Sequence, residues 1–288
     1  MKWNRLRGSA FLLLASLIWG CAFAFQSMAA ASIGPWLFNG VRFLLGGIEI
    51  LILSPLLSKL EADHPADSDG NLFRCGVIGG IILLCASVLQ QAGIRFTTAG
   101  KAGFITSLYV VLVPLAEVLL FHRKMRGTVP AAAFLALGAL FLLSKPEEGT
   151  IGKGDGLVLL SAFAFAAHIL YIDRIKDRVS AVRFSCVQFL AAGMIGLAGA
   201  FLFEGLDRSL PKEAVGPILY AGLCSAGLGY TFQALGQKDA DPSSAGILLS
   251  LESVFSALAG FLLLHETLSM RELFGCALMF AAVILSQR

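Results

Sequence analysis

Charge is scarce in this chain. Only 14% of its 288 residues are Asp, Glu, Lys or Arg, 57% are apolar, and the mean hydropathy is +0.80. A soluble chain carries roughly 25% charge to cover its surface, so a soluble globular domain is excluded. Long polar stretches are equally rare. The only one, Pro55 to Arg74, contains Glu-Ala-Asp-His-Pro-Ala-Asp-Ser-Asp-Gly and reads as a solvated loop. No Lys/Arg block is long enough to track phosphates, so the net charge of +3 implies no nucleic-acid partner. The cysteines (Cys21, Cys75, Cys85, Cys186, Cys224, Cys276) lie in or beside apolar runs, with no CxxC or Cys/His spacing. They read as packing residues. Walker and GxSxG motifs are absent, and His265-Glu266 lacks the second His of HExxH. No enzymatic chemistry, metal or cofactor is expected.

What the chain has instead is apolar runs of about 17–24 residues that do not alternate. In lipid every backbone polar group must be satisfied within its own segment, so such runs read as membrane-spanning helices. Ten are expected, at about 8–28, 36–56, 74–93, 99–121, 128–144, 154–173, 182–203, 215–236, 242–264 and 271–286, here called spans 1 to 10. Pro35, Pro130 and Pro242 sit near span starts, where a missing N–H costs nothing. Asp241 is placed to cap span 9. Lys2, Arg5 and Arg7 before span 1, with Ala29-Ala30-Ala31 after it, mimic a signal peptide. The apolar run of about twenty residues is longer than a secretory h-region, so span 1 is expected to be retained. With the N-terminus inside, the inner segments hold fourteen Lys and Arg and the outer ones seven. That bias places both termini in the cytoplasm and requires an even number of spans.

The chain also repeats itself. At an offset of 146, Gly8, Phe38, Val41, Phe43, Leu44 and Gly47 fall on Gly154, Phe184, Val187, Phe189, Leu190 and Gly193. At an offset of 143, Gln90 falls on Gln233 and Gly93 on Gly236. At the same offset Ala102–His122 overlays Ala245–His265 with ten identities in twenty-one positions, Ser107 with Ser250 among them. The expected fold is therefore an all-α membrane protein of two five-helix repeats, 1–146 and 147–288, in one bundle. Five is odd, so the second repeat enters the membrane inverted. Many secondary transporters are built this way, with the substrate site near the midplane.

Polar groups inside spans mark packing contacts or a water-filled path. Arg42 in span 2 either snorkels outward or ties to a carbonyl, or it faces a cavity and attracts an anionic group. Its repeat partner is Gln188. Glu49 shares its face but lies some 10 Å along the helix. Span 4 carries Gly103, Thr106, Val110, Pro114 and Glu117 on one face, and Pro114 is expected to kink it. Glu117 is a proton-coupling candidate or simply nears the cytoplasmic end. Glu252 lies about ten residues into span 9. It reads as a proton site or cation counter-charge, or as a structural Glu bonded through Ser225 or Gln233. Span 1 offers Ser16, Trp19, Phe23 and Gln26, and span 6 offers Ser161, Phe165, His168 and Tyr171; such stripes serve cores as well as sites. Span 3 adds Ser87, Gln90 and Gln91, and span 8 adds Ser225, Tyr230 and Gln233. Gly193, Gly196 and Gly199, then Gly246, Ser250, Ser253, Ala257 and Gly260, read as close-packing faces.

The stretch Thr97-Thr98-Ala99-Gly100-Lys101-Ala102-Gly103-Phe104-Ile105-Thr106-Ser107-Leu108-Tyr109, continuing to Pro114, resembles EamA-type members of the drug/metabolite transporter superfamily. So do Leu251-Glu252-Ser253-Val254-Phe255-Ser256, His265-Glu266-Thr267-Leu268, Trp19-Gly20, Arg42 and Gly229-Tyr230-Thr231-Phe232-Gln233. The resemblance implies a ten-helix inverted repeat, alternating access, and a cavity lined by spans 1–4 and 6–9 near Trp19, Arg42, Tyr109, Gln233 and Glu252. Two positions depart from the family pattern. Ser253 stands where Pro usually follows the span 9 Glu, and Arg123 stands where an acidic residue often follows span 4.

The expected function is secondary transport, exporting amino acids or similar small amphipathic metabolites across the cell inner membrane. The expected substrate-binding residues are Trp19, Arg42, Gln90, Tyr109, His168, Tyr230, Gln233 and Glu252, with Glu252 and Glu117 as proton-coupling candidates. Partners are a small-molecule substrate and the lipid bilayer, the chain acting as monomer or homodimer. The alternatives are a non-transporting scaffold or accessory subunit of an envelope enzyme, and a passive channel.

Overall fold

The computed structural model describes residues 2–61, 69–97, 99–123, 127–143, 152–205, 211–263 and 269–286. The middle of the Pro55–Arg74 loop and the His265-Glu266-Thr267-Leu268 stretch lie outside them. No strand occurs among the described residues. The helices are α1 (Lys2–Ala30), α2 (Pro35–Leu57), α3 (Asp69–Ile94), α4 (Ala99–Thr106), α5 (Tyr109–Leu119), α6 (Val129–Leu143), α7 (Lys153–Ile175), α8 (Ala181–Phe203), α9 (Lys212–Leu219), α10 (Thr231–Lys238), α11 (Pro242–Leu249), α12 (Glu252–Leu263) and α13 (Met270–Ser286). A π-helical stretch, Tyr220–Tyr230, joins α9 to α10. Among the described residues eight helical stretches are long and apolar enough to cross a bilayer, and Val129–Leu143 is a shorter apolar helix. Large apolar side chains face outward, as lipid allows: Phe134 is 78% exposed and Leu202 71%.

Spans 4, 8 and 9 are not continuous α-helices. Span 4 breaks at Ser107–Leu108, between α4 and α5, and Pro114 stays inside α5. Span 9 breaks at Ser250–Leu251, between α11 and α12. The two breaks share one hydrogen-bond pattern. Leu108 N and Val110 N reach back three residues to Ile105 O and Ser107 O, and Leu251 N and Ser253 N reach Leu248 O and Ser250 O. Every member of one set lies 143 positions from its counterpart in the other. Pro114, expected to kink span 4, is not required for such a break. Its counterpart is Ala257, and span 9 breaks without a proline there or after Glu252. What the breaks share is a serine, a residue that competes for the preceding turn's carbonyls. Ser250 Oγ does this, donating to Ile247 O at 2.7 Å.

Packing follows the same offsets. α2 runs along α8, where Gly47 sits against Leu190 and Gly193 against Leu44, and Phe43 stacks on Phe189 at 6.2 Å. α3 lies on α7, with Gly93 against Gly154 and Val158; α10 lies on α1, with Gly236 against Gly8 and Leu12. A β-carbon at any of these glycines would meet the neighbouring helix, so the small residues set the close approach. α6 and α13 pack on each other. Asp241 caps α11 as expected, accepting Ser244 N at 2.9 Å.

Candidate functional site

A cavity opens where the two breaks meet the middle of α1, α2, α3 and α7. Trp19, Ala22, Phe23 and Gln26 reach it from α1, Arg42 from α2, Gln90 from α3, and Thr106 and Tyr109 from the first break. Phe165 and Ile169 come from α7, Ser225 and Tyr230 from the π stretch, Gln233 from α10, and Leu249 and Glu252 from the second break. Its free space is about 30 Å³, room for roughly two water molecules. Any larger occupant requires the walls to move apart.

Seven of the eight residues expected to bind substrate line this one cavity: Trp19, Arg42, Gln90, Tyr109, Tyr230, Gln233 and Glu252. His168 lies behind it. Its ring bonds Gln188 Oε1 through Nε2 at 3.0 Å and meets Tyr230 edge-on at 6.0 Å. Glu117 is elsewhere, near the face that carries the N-terminus. There Ser243 Oγ donates to it, and Arg123 stands 3.5 Å away. That cluster borders a separate charged pocket of about 400 Å³.

Glu252 is 3% exposed, and its Oε1 accepts from Tyr109 OH at 2.9 Å and Ser107 Oγ at 3.1 Å. The expected partners, Ser225 and Gln233, do not reach it. Ser225 instead gives its carbonyl to Trp19 Nε1 at 3.1 Å, and Gln233 Oε1 is buried with no partner. The wide π turn presents that carbonyl to the Trp; long π runs are rare and cluster at functional sites. Trp19 in turn lies on Tyr230, ring centroids 4.6 Å apart.

Arg42 is 1% exposed and does not snorkel. Its Nη2 donates to Ser87 Oγ at 3.1 Å, and its guanidinium lies over Phe43 at 4.7 Å and Phe38 at 5.6 Å. Aromatic faces hold a desolvated guanidinium through their quadrupole, so the charge stays inside without a carboxylate beside it. Glu49 does not serve as that carboxylate; its Oε2 is closed against Gly227 of the π stretch. Gln90 donates to Thr106 Oγ1 at 3.1 Å and so braces α3 against α4.

Three buried polar atoms of cavity residues have no partner: Gln26 Oε1, Gln233 Oε1 and Arg42 Nε. Each costs about 1–3 kcal/mol while unsatisfied, a cost that a ligand bearing both donors and acceptors removes. The cavity thus offers a carboxylate, a guanidinium and aromatic walls. Among the described residues no group of three His, Cys, Asp or Glu side chains is placed to hold a metal.

Ser107 is the polar contributor that helical spacing did not single out, whereas Ser87 was among the polar residues of span 3. The signal was present in the repeat. The offset of 143 that pairs Ser107 with Ser250 also pairs Tyr109 with Glu252 and Ser87 with Tyr230. Tyr109 and Glu252 are therefore counterparts that touch each other.

An all-helical, multi-pass fold around a buried polar cavity defines the class, a membrane transporter. The profile of the EamA-like transporter family matches residues 6–145 and again 152–287, and the chain belongs to that family. It is 29% identical over 282 residues to an uncharacterized transporter of Archaeoglobus fulgidus, covering 98% of this chain and 86% of that one. It is 23% identical to the protein PecM of Dickeya dadantii, covering 96% of this chain and 91% of that one. With PagO of Salmonella typhimurium the identity is 27%, covering 68% and 64% of the two chains. A solved crystal structure superposes with a TM-score of 0.78 at 17% identity, covering 97% and 96%, which shows a shared fold.

Proposed function

We propose that this protein is a secondary transporter exporting amino acids or similar small amphipathic metabolites by alternating access. The observation that carries the reading is the cavity itself. A carboxylate, a guanidinium and a set of aromatic rings converge on one cavity two or more helical turns inside the spans. Groups so costly in lipid are held where a solute could pass. Glu252 would take the substrate's amine or exchange a proton, Arg42 would draw its carboxylate, and Trp19, Tyr109 and Tyr230 would shape the space. Glu117, bonded to Ser243 and Arg123, fits closure of the N-terminal face better than proton exchange.

The proposal includes ten spans in two inverted repeats, 1–146 and 147–288, in the cell inner membrane. Matched breaks 143 positions apart and reciprocal glycine contacts support the repeats. The fourteen-to-seven distribution of Lys and Arg supports cytoplasmic termini. A cavity filled by apolar side chains would have favoured a scaffold; polar atoms left unpartnered favour transport. The test is uptake and efflux of a panel of radiolabelled amino acids and cationic dyes in proteoliposomes, with and without a pH gradient. Saturable flux of at least one solute, abolished in Glu252→Gln or Arg42→Gln, is expected. Proteoliposomes that move none overturn the reading.

A further inference from the structure

We infer that Ser107 and Tyr109 are positioning residues that hold Glu252 in the empty protein and compete with the substrate's cationic group for it, so that occupancy releases one broken helix from the other. The inference rests on the transport reading and adds to it a link between binding and opening.

The geometry starts from the two breaks, which are alike in backbone and unlike in side chains. Ser250 donates to Ile247 O on its own helix and also lies 3.3 Å from Met279 Sδ of α13, and Ser253 donates to Ser250 O, at 2.7 Å to the carbonyl in each case. Ser107, the counterpart of Ser250, crosses to Glu252 instead. Tyr109 does likewise. Two hydroxyls of the first break thus converge on a carboxylate of the second. Both bonds fall on Oε1, and among the described residues no hydrogen bond reaches Oε2. All three side chains are buried, Ser107 completely.

These are neutral donors on a carboxylate. An ammonium group adds the Coulombic attraction of a full positive charge, which is strong in a water-poor site, so a cationic substrate entering the cavity takes Glu252 from the hydroxyls. The present cavity, with about 30 Å³ of free space, has no room for it while the two breaks stay tied. Binding and separation of the broken helices are then one event. A ligand shifts a conformational equilibrium only by its differential affinity for the two states, and here the difference is a partner exchanged at Glu252.

The test needs no identified substrate. Ala22 lines the cavity and is 1% exposed. In full-length protein in nanodiscs, with the native cysteines replaced and folding checked by thermal unfolding, Ala22→Cys reports access to a water-soluble maleimide. Ser107→Ala and Tyr109→Phe are each expected to speed labelling several-fold and the double variant about tenfold, while Ser250→Ala leaves the rate unchanged. Ethidium binding, read by fluorescence, should tighten several-fold in Tyr109→Phe and vanish in Glu252→Gln. Unchanged labelling in the double variant overturns the inference. Equal acceleration by Ser250→Ala also overturns it, because loosening any break would then suffice. The labelling pattern in a protein that moves no solute would refute transport and leave the latch standing.

Discussion

The two faces of the bundle are closed by different amounts of polar contact. On the face carrying the N-terminus, four consecutive residues from the end of α10 to the start of α11 each hold a different element. Lys238 pairs with Glu61 beyond α2, Asp239 with Arg7 of α1 at 2.8 Å, and Ala240 O accepts from Lys176 beyond α7 at 3.0 Å. Asp241 caps α11. Arg123 adds a tie to Asp173 of α7 at 2.7 Å. On the opposite face one buried carboxylate, Asp155 of α7, gathers Lys101 at 2.7 Å and Thr97 at 2.8 Å. The described ion pairs are thus concentrated on one side. Under the proposed alternating access, opening the opposite face would break fewer of these described pairs.

One feature is common to both faces. Glu61 follows α2 and accepts Ala181 N and Ser180 Oγ at the start of α8, at 2.8 and 2.7 Å. Glu204 follows α8 and accepts Trp36 N and Leu37 N at the start of α2, at 2.8 and 2.9 Å. A carboxylate satisfies the orphan donors of a helix N-terminus and complements its dipole. Each helix of the pair therefore caps the other, and α2 with α8 is held at both ends. The movable parts of the account are the broken spans, not this pair.

The comparison can be broken at several points. Glu61→Ala removes a cap and an ion-pair partner of Lys238 in one step, and is expected to cost about 3 kcal/mol. Thermal unfolding in detergent would show it as the largest loss among these variants. Glu204→Ala removes a cap that has no cation partner among the described residues and should cost about 1 kcal/mol; a loss equal to that of Glu61→Ala would dissolve the distinction between the faces. Asp155→Asn should raise labelling of Ala22→Cys from the opposite face about threefold and leave the N-terminal face unchanged, measured in sided vesicles. Arg7→Asp breaks a partly exposed pair worth about 0.5 kcal/mol. It should slightly raise access from the N-terminal face, and the exchange Arg7→Asp with Asp239→Arg should restore the original rate.

The sequence made the spans legible because length and hydropathy alone decide what can cross a bilayer. It made much of the cavity legible for a related reason. Arg42, Gln90, Gln233 and Glu252 have nowhere to point but inward, so spans with polar faces converge on them. What it hid was partnership. Pro114 drew attention from Ser107, where the helix actually breaks, and the matching break at Ser250 has no proline to announce it. The structural reading of Glu252 offers Ser225 or Gln233 as partners, whereas its partners are Ser107 and its own repeat counterpart, Tyr109. His168 reads as a cavity residue from its stripe, yet a single Tyr230 ring stands between. Glu61 sits in a polar loop and reads as solvated; it is buried because the start of α8 needs a cap.

The most direct test of alternating access is sided labelling of Ala22→Cys in vesicles of known orientation, using membrane-impermeant maleimide from either side while a transported solute is present. The account expects reaction from both sides, never simultaneous continuity, so that no ion conductance accompanies it, and expects solute to change the ratio of the two rates several-fold. Labelling from one side only, or labelling from both with steady conductance, would contradict it.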